Sequence, residues 1–178
     1  KDVSDPTNRV DPTTSKTEIQ AALNQDLETN IRLASEDAKI DQMQEGPDKE
    51  KAIREIRSKA IRQTANNALA EGVVLDNYVK DFEQLATTDI ALLETQYQNK
   101  EGKKVALTYE NTPDTFKKAY EAFDSMSPAA QQAHLNAMDT QNADTIRGAV
   151  DLIKSGSIDP VEAFRKAQID ARVPKAYK

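Results

Sequence analysis

The stretch Val73–Gln98, VVLDNYVKDFEQLATTDIALLETQYQ, is the longest run in the chain in which large apolar residues recur at helical spacing. Leu75, Val79, Phe82, Ala86, Ile90, Leu93 and Tyr97 step by three or four residues. At about 100° per residue this keeps them on one stripe. A second line at seven-residue steps, Tyr78, Leu85 and Leu92, widens that face enough to meet two partner helices. The pattern predicts one long central helix and an all-α fold.

Toward the N-terminus, Ser15 with Glu18 three residues later has the form of a capping box and predicts a helix start. Its stripe, Ile19, Leu23, Leu27, Ile31, Ala34 and Ala38, leads to a break at Gly46-Pro47, with Leu33 and Ile40 off to one side. Asp48 is expected to cap a second helix that stops at Gly72, where a left-handed residue costs glycine little. Ile53, Ile56 and Ala60 give that helix its clearest stripe, widened later by Ile61, Ala65, Ala68 and Leu69. The two short breaks predict three long amphipathic helices in an up-down-up bundle over 15–100. Residues 1–14 repeat Asp-Pro-Thr, offer only Val3 and Val10 as apolar side chains, and read as a flexible arm.

Beyond the bundle, 101–111 reads as an extended connector with Val105, Leu107 and Tyr109 alternating, because a lone strand has no pairing partner. Thr112-Pro113, Ser127-Pro128 and Asp159-Pro160 each set a capping residue before a proline at the first helical position. With Ala143–Lys154 they predict about four shorter helices over 112–172 that pack on the bundle. The polar run Asp139–Asn142 reads as a turn dividing 128–154 into two helices, Gly156 as a C-cap, and 173–178 as a tail.

Composition narrows the function classes. The chain has 178 residues, no cysteine, no tryptophan and one histidine, so disulfides, thiolate metal sites and cysteine catalysis are excluded. His134 alone cannot supply a usual zinc set. Carboxylate pairs such as Asp37 and Asp41 read as the hydrated backs of amphipathic helices, and no Gly-rich phosphate loop or Gly-x-Ser-x-Gly turn is present. The reading is therefore of a non-enzymatic chain with no catalytic, metal or cofactor-binding residues, no cofactor and no small-molecule substrate. A net charge of -6 disfavours non-specific binding to nucleic acid. No apolar run approaches twenty residues, so no membrane insertion is expected. The chain opens on Lys1 rather than Met, and cytoplasmic, virion and secreted settings are all compatible with it.

One segment departs from the acidic average. Lys49–Arg62, KEKAIREIRSKAIR, carries six cations against two glutamates. Of these, Lys51, Arg54 and Arg62 point largely away from Ile53, Ile56 and Ala60 on a helical wheel. Helix 1 supplies Glu28, Glu36, Asp37 and Asp41 as candidate ion-pair partners. Candidate interaction residues are Lys51, Arg54, Arg57 and Arg62, together with Tyr109 and Tyr177, the two tyrosines outside helical stretches. The expected role is contact with a protein partner or self-association, as a structural component of an assembly or an exported binding module. The alternative is a nucleic-acid-associated or regulatory protein using the basic stripe. An apolar patch left exposed on helix 1 or helix 2 is the feature that favours the first.

Overall fold

In the computed structural model the described residues are 15–96, 102, 107–156 and 158–172. The expected arm at 1–14 and tail at 173–178 lie outside them. Among the described residues there are eight α-helices and no strand: α1 Lys16–Asp37, α2 Pro47–Ala70, α3 Asp76–Thr87, α4 Ile90–Gln96, α5 Asp114–Ser125, α6 Pro128–Asn136, α7 Thr140–Ser155 and α8 Pro160–Arg172. The all-α class holds, and 128–154 is indeed two helices. The residues group into two compact units. One runs to Asp76 and adds Asp124–His134; the other takes Asn77–Phe123 and continues from Leu135. This grouping cuts across the division at 101–111, because α3 and α4 belong with α7 and α8.

In the first unit α1 packs against α2. Gln20, near the start of α1, donates to the carbonyl of Val74, just past the end of α2, at 3.0 Å, so the two helices run antiparallel. Ser15 caps α1 as expected, its hydroxyl accepting the Glu18 N–H at 3.2 Å. The helix stops at Asp37, however, well short of Gly46. Lys39 turns left-handed at φ 55° and a single 3-10 turn follows over Ile40–Gln42, in which Ile40 is buried. Ile40 lies off the inward stripe of α1, and the turn brings it into the core. Asp48 does not cap α2 either. Gly46 occupies the cap, Pro47 begins the helix, and Asp48 contributes first-turn charge toward the helix dipole. At the other end Gly72 has φ 71°. The Val73 N–H reaches the Ala68 carbonyl at 2.9 Å and the Gly72 N–H the Leu69 carbonyl at 3.0 Å, the two bonds of a Schellman motif.

The single helix expected over Val73–Gln98 is not formed. Val73–Leu75 is non-helical, and the remainder is two helices separated at Thr88-Asp89. The Asp89 carboxylate accepts the Leu92 N–H at 3.0 Å and so starts α4. Thr88 turns its hydroxyl onto the Gln84 carbonyl at 2.7 Å. The carbonyls freed by the break are taken by the Gln168 amide of α8, which donates to Ala86 at 3.1 Å and to Thr88 at 2.9 Å. The main stripe is still buried at Leu75, Val79, Phe82, Ala86 and Ile90. The second line fails at its last member, since the break rotates α4 and leaves Leu92 54% exposed.

The second unit is built on α8. Phe164 meets Phe116 edge-on at 5.5 Å and Tyr120 at 6.3 Å, while Phe82 meets Phe123 at 5.3 Å. Helix α7 packs on α8, and a Cβ placed on Gly148 would stand 3.4 Å from that of Ala167, ordinary contact distance. Arg165 forms an ion pair with Glu94 of α4. Asp159 caps α8 through the Val161 N–H at 2.8 Å, and Ser127 caps α6 through the Ala130 N–H at 3.3 Å. Thr112 does not cap α5; its hydroxyl donates to the Tyr109 carbonyl at 2.7 Å, and α5 begins at Asp114. Asp139 caps α7 through Gln141 and Asn142, so most of the polar run read as a turn is the first turn of that helix.

Replacing Gln168 by Met keeps the length of the side chain but leaves two carbonyls without their amide donor. Urea unfolding is expected to show a loss of about 2 kcal/mol. A Ile169→Ser control, at a site 59% exposed, should change stability by less than about 0.5 kcal/mol.

Candidate interaction surface

Helices α1 and α2 differ in how well they cover their own apolar faces. Leu23 and Leu27 of α1 are buried, as are Ala60, Ile61, Thr64, Ala65 and Ala68 of α2. Toward the turn that joins the helices this coverage is lost. Ile31, Ile53 and Ile56, all on the predicted stripes, are only half-buried, Ala34 is exposed, and Leu33 is 51% exposed. Leu33 and Ala34, with Glu36 and Asp37, line a shallow depression at the end of α1. Two antiparallel helices bury best the residues that face each other, and at this end Ile40 is buried while Ile31, Ile53 and Ile56 keep part of their surface in water.

The charges on the two arms are opposite. Helix α1 carries Lys16 and Arg32 against Glu18, Asp26, Glu28, Glu36 and Asp37, a net of -3. Helix α2 carries Lys49, Lys51, Arg54, Arg57, Lys59 and Arg62 against Asp48, Glu50 and Glu55, a net of +3. The intramolecular pairing expected between the arms does not occur: among the described residues no ion pair joins α1 to α2. Glu36 pairs with Arg32 of its own helix at 3.1 Å, and Lys49 with Glu45 at 2.6 Å. Both pairs join residues four apart in sequence, which satisfies the charge locally at small entropic cost. Among the described residues Lys51, Arg54, Arg57 and Lys59 form no ion pair, and of these only Arg57 is half-buried.

The predicted interaction residues thus separate. Lys51, Arg54 and Arg57 share the exposed half of α2 beside Ile53 and Ile56. Arg62 lies further along, and its Nε donates to the Ser125 carbonyl at 3.0 Å, placing a cation at the C-terminal end of α5. Tyr109 belongs to the other unit and serves the fold. Its N–H donates to both Asp159 oxygens at 3.0 and 3.1 Å, its hydroxyl faces the Lys117 carbonyl at 3.3 Å, and its ring meets Tyr120 edge-on at 5.6 Å. Tyr177 lies outside the described residues.

His134 proves to be a core residue, fully buried. Its Nδ1–H donates to the Ala130 carbonyl at 2.7 Å and its Nε2 accepts the Leu75 N–H at 3.0 Å. That pair of partners fixes the neutral tautomer, and burial pulls the imidazole pKa below its ordinary value, partly opposed by the Ala130 carbonyl. Among the described residues no group of three or more histidine and carboxylate side chains is placed to hold a metal ion, and no helix is long and apolar enough to cross a membrane. Sequence reasoning missed Asp159 and Gln168 as the side chains that hold loop backbone in place; the only trace of Gln168 is an amide adjoining the apolar face of α8. In comparisons with known proteins, no family model, no curated protein and no solved structure matches this chain.

Because the folded histidine pKa is depressed, the unfolded chain takes up a proton near pH 6.5 that the folded chain refuses. The stability that His134 contributes is present above about pH 6.5 and is lost as pH falls toward the folded pKa. Unfolding curves between pH 8 and pH 5 should therefore fall more steeply for the native chain than for His134→Gln, whose amide keeps one donor and one acceptor. Parallel profiles would refute this assignment.

Proposed function

We propose that this chain is a non-catalytic protein-contact module that presents the α1–α2 face to a partner, as a structural component of an assembly or as an exported binding module. The observation that carries the reading is the incomplete burial of Ile31, Ile53 and Ile56, which continue the inward stripes of the two helices, together with the exposure of Leu33 on α1. Apolar surface left in water gives up free energy that an added surface recovers, at roughly 25 cal/mol for each Å² covered. The cations of α2 border these residues and supply orientation and specificity rather than the main driving force.

A nucleic-acid role draws on the same cations. Contact with protein is favoured because isoleucines alternate with the charges along α2 and no aromatic side chain stands among them for base stacking.

Photo-crosslinking tests the reading directly. A benzophenone side chain placed at position 33 or 56 of the full chain, in an extract of its source, should yield discrete protein adducts. The same group at position 144, on an exposed turn of α7, should yield none. Equal labelling from all three positions, or adducts with nucleic acid alone, would remove the proposal.

A further inference from the structure

The break between α3 and α4 interrupts a segment in which nothing forbids a helix. From Val73 to Gln98 there is neither glycine nor proline, and threonine and aspartate are weak helix formers rather than breakers. Thr87 and Thr88 already turn their hydroxyls onto the Glu83 and Gln84 carbonyls four residues back, at 2.9 and 2.7 Å, as threonines do inside a helix. The apolar steps also run through the break. Phe82, Ala86, Ile90 and Leu93 keep the three- and four-residue spacing of one stripe. The break and the side chains that hold it lie within the second unit and are independent of the contact surface on α1 and α2.

A continued helix would join the Leu92 N–H to the Thr88 carbonyl and the Ile90 N–H to the Ala86 carbonyl. In the bent chain the Leu92 N–H goes instead to the Asp89 carboxylate at 3.0 Å, and the Thr88 and Ala86 carbonyls go to the Gln168 amide at 2.9 and 3.1 Å. Asp89 and Gln168 thus hold the two halves of one missing helical bond, and both halves are satisfied whether the chain bends or runs straight. We infer that α3–α4 is a two-state hinge, in which these two side chains select the bent form and the alternative is one continuous helix through Thr88 and Asp89. Helix α8 is the clasp. It supplies Gln168 and also Arg165, which pairs with Glu94, so that opening the clasp frees α4 as a whole. Straightening keeps Ile90 on the stripe of Phe82 and Ala86, and it returns Leu92, 54% exposed in the bent form, to the line of Tyr78 and Leu85. An agent that draws α8 away, or that competes for the Gln168 amide, shifts the segment toward the straight form.

Cα chemical shifts of the full chain test the hinge, because they read helix residue by residue. In the native chain Thr88 and Asp89 are expected to give non-helical shifts. The double variant Asp89→Ala, Gln168→Met removes both substitutes for the helical bond, and it should give helical shifts at 88 and 89 while 90–96 keep theirs. Asp89→Asn, which retains a capping oxygen, should leave the native shifts in place. A double variant still non-helical at 88 and 89 overturns the inference. So does one in which 90–96 lose their helical shifts, since that is fraying rather than straightening. Should the double variant fail to fold, the native chain decides. Relaxation dispersion at Thr88 and Asp89 is expected to report a minor form, populated at about 1%, whose shifts at both residues are helical. Flat dispersion profiles at both residues would then overturn the hinge.

Discussion

The side-chain amide of Gln168 is the interaction on which the second unit turns. A helix that stops inside an apolar stripe strands backbone carbonyls where water does not reach them, and each such group costs about 1–3 kcal/mol if it finds no donor. The break between α3 and α4 is tolerated because one amide reaches two of those carbonyls, on Ala86 and Thr88. Once Gln168 is fixed there, α8 is fixed with it. Arg165 then meets Glu94 on α4, Phe164 closes against Phe116 and Tyr120, and Ala167 lies under Gly148 of α7. At the start of the same helix, Asp159 holds the Tyr109 N–H while capping its own first turn. Helix α8 therefore ties together a chain of short elements that has no long helix to align it.

The first unit solves a similar problem with a ring in place of an amide. Leu75 leaves the non-helical link after α2 with a buried N–H, and His134 accepts it while giving its own proton to the preceding turn of α6. The arrangement works only for the neutral imidazole, because a protonated ring would set one donor against another. Thr64 shows the opposite behaviour: its hydroxyl is buried on the inward face of α2 and has no hydrogen-bond partner among the described residues. Nothing in the structure explains its presence there.

The surface of the α1–α2 pair follows from its helix count. Along most of α1 the shared seam with α2 is what covers its apolar stripe, and toward the connecting turn that cover thins. Local ion pairs such as Arg32–Glu36 absorb some charge within a turn, and the remaining cations and carboxylates stay sorted onto separate arms. The contact function proposed for this face rests on the incompletely covered isoleucines and on exposed Leu33.

The sequence by itself determined the helical class, the inward stripes and several helix ends. Periodicity identified Leu75, Val79, Phe82, Ala86 and Ile90 as core, and Ser15, Gly72, Ser127 and Asp159 act as the caps their chemistry implies. These signals are legible because a stripe or a cap is settled within a few residues of itself. Tertiary structure alone decided where the long helices break. Thr88-Asp89 allows a break but does not require one, and the decision depends on a donor 80 residues away in Gln168. The turn at Lys39 likewise depends on space in the core for Ile40. The pairing of charges was not legible either: the sequence supplied acids on one helix and bases on the next, and in the packed pair no ion pair among the described residues joins them. Local chemistry offers alternatives to a chain, and the choice among them is made by partners that are distant in sequence.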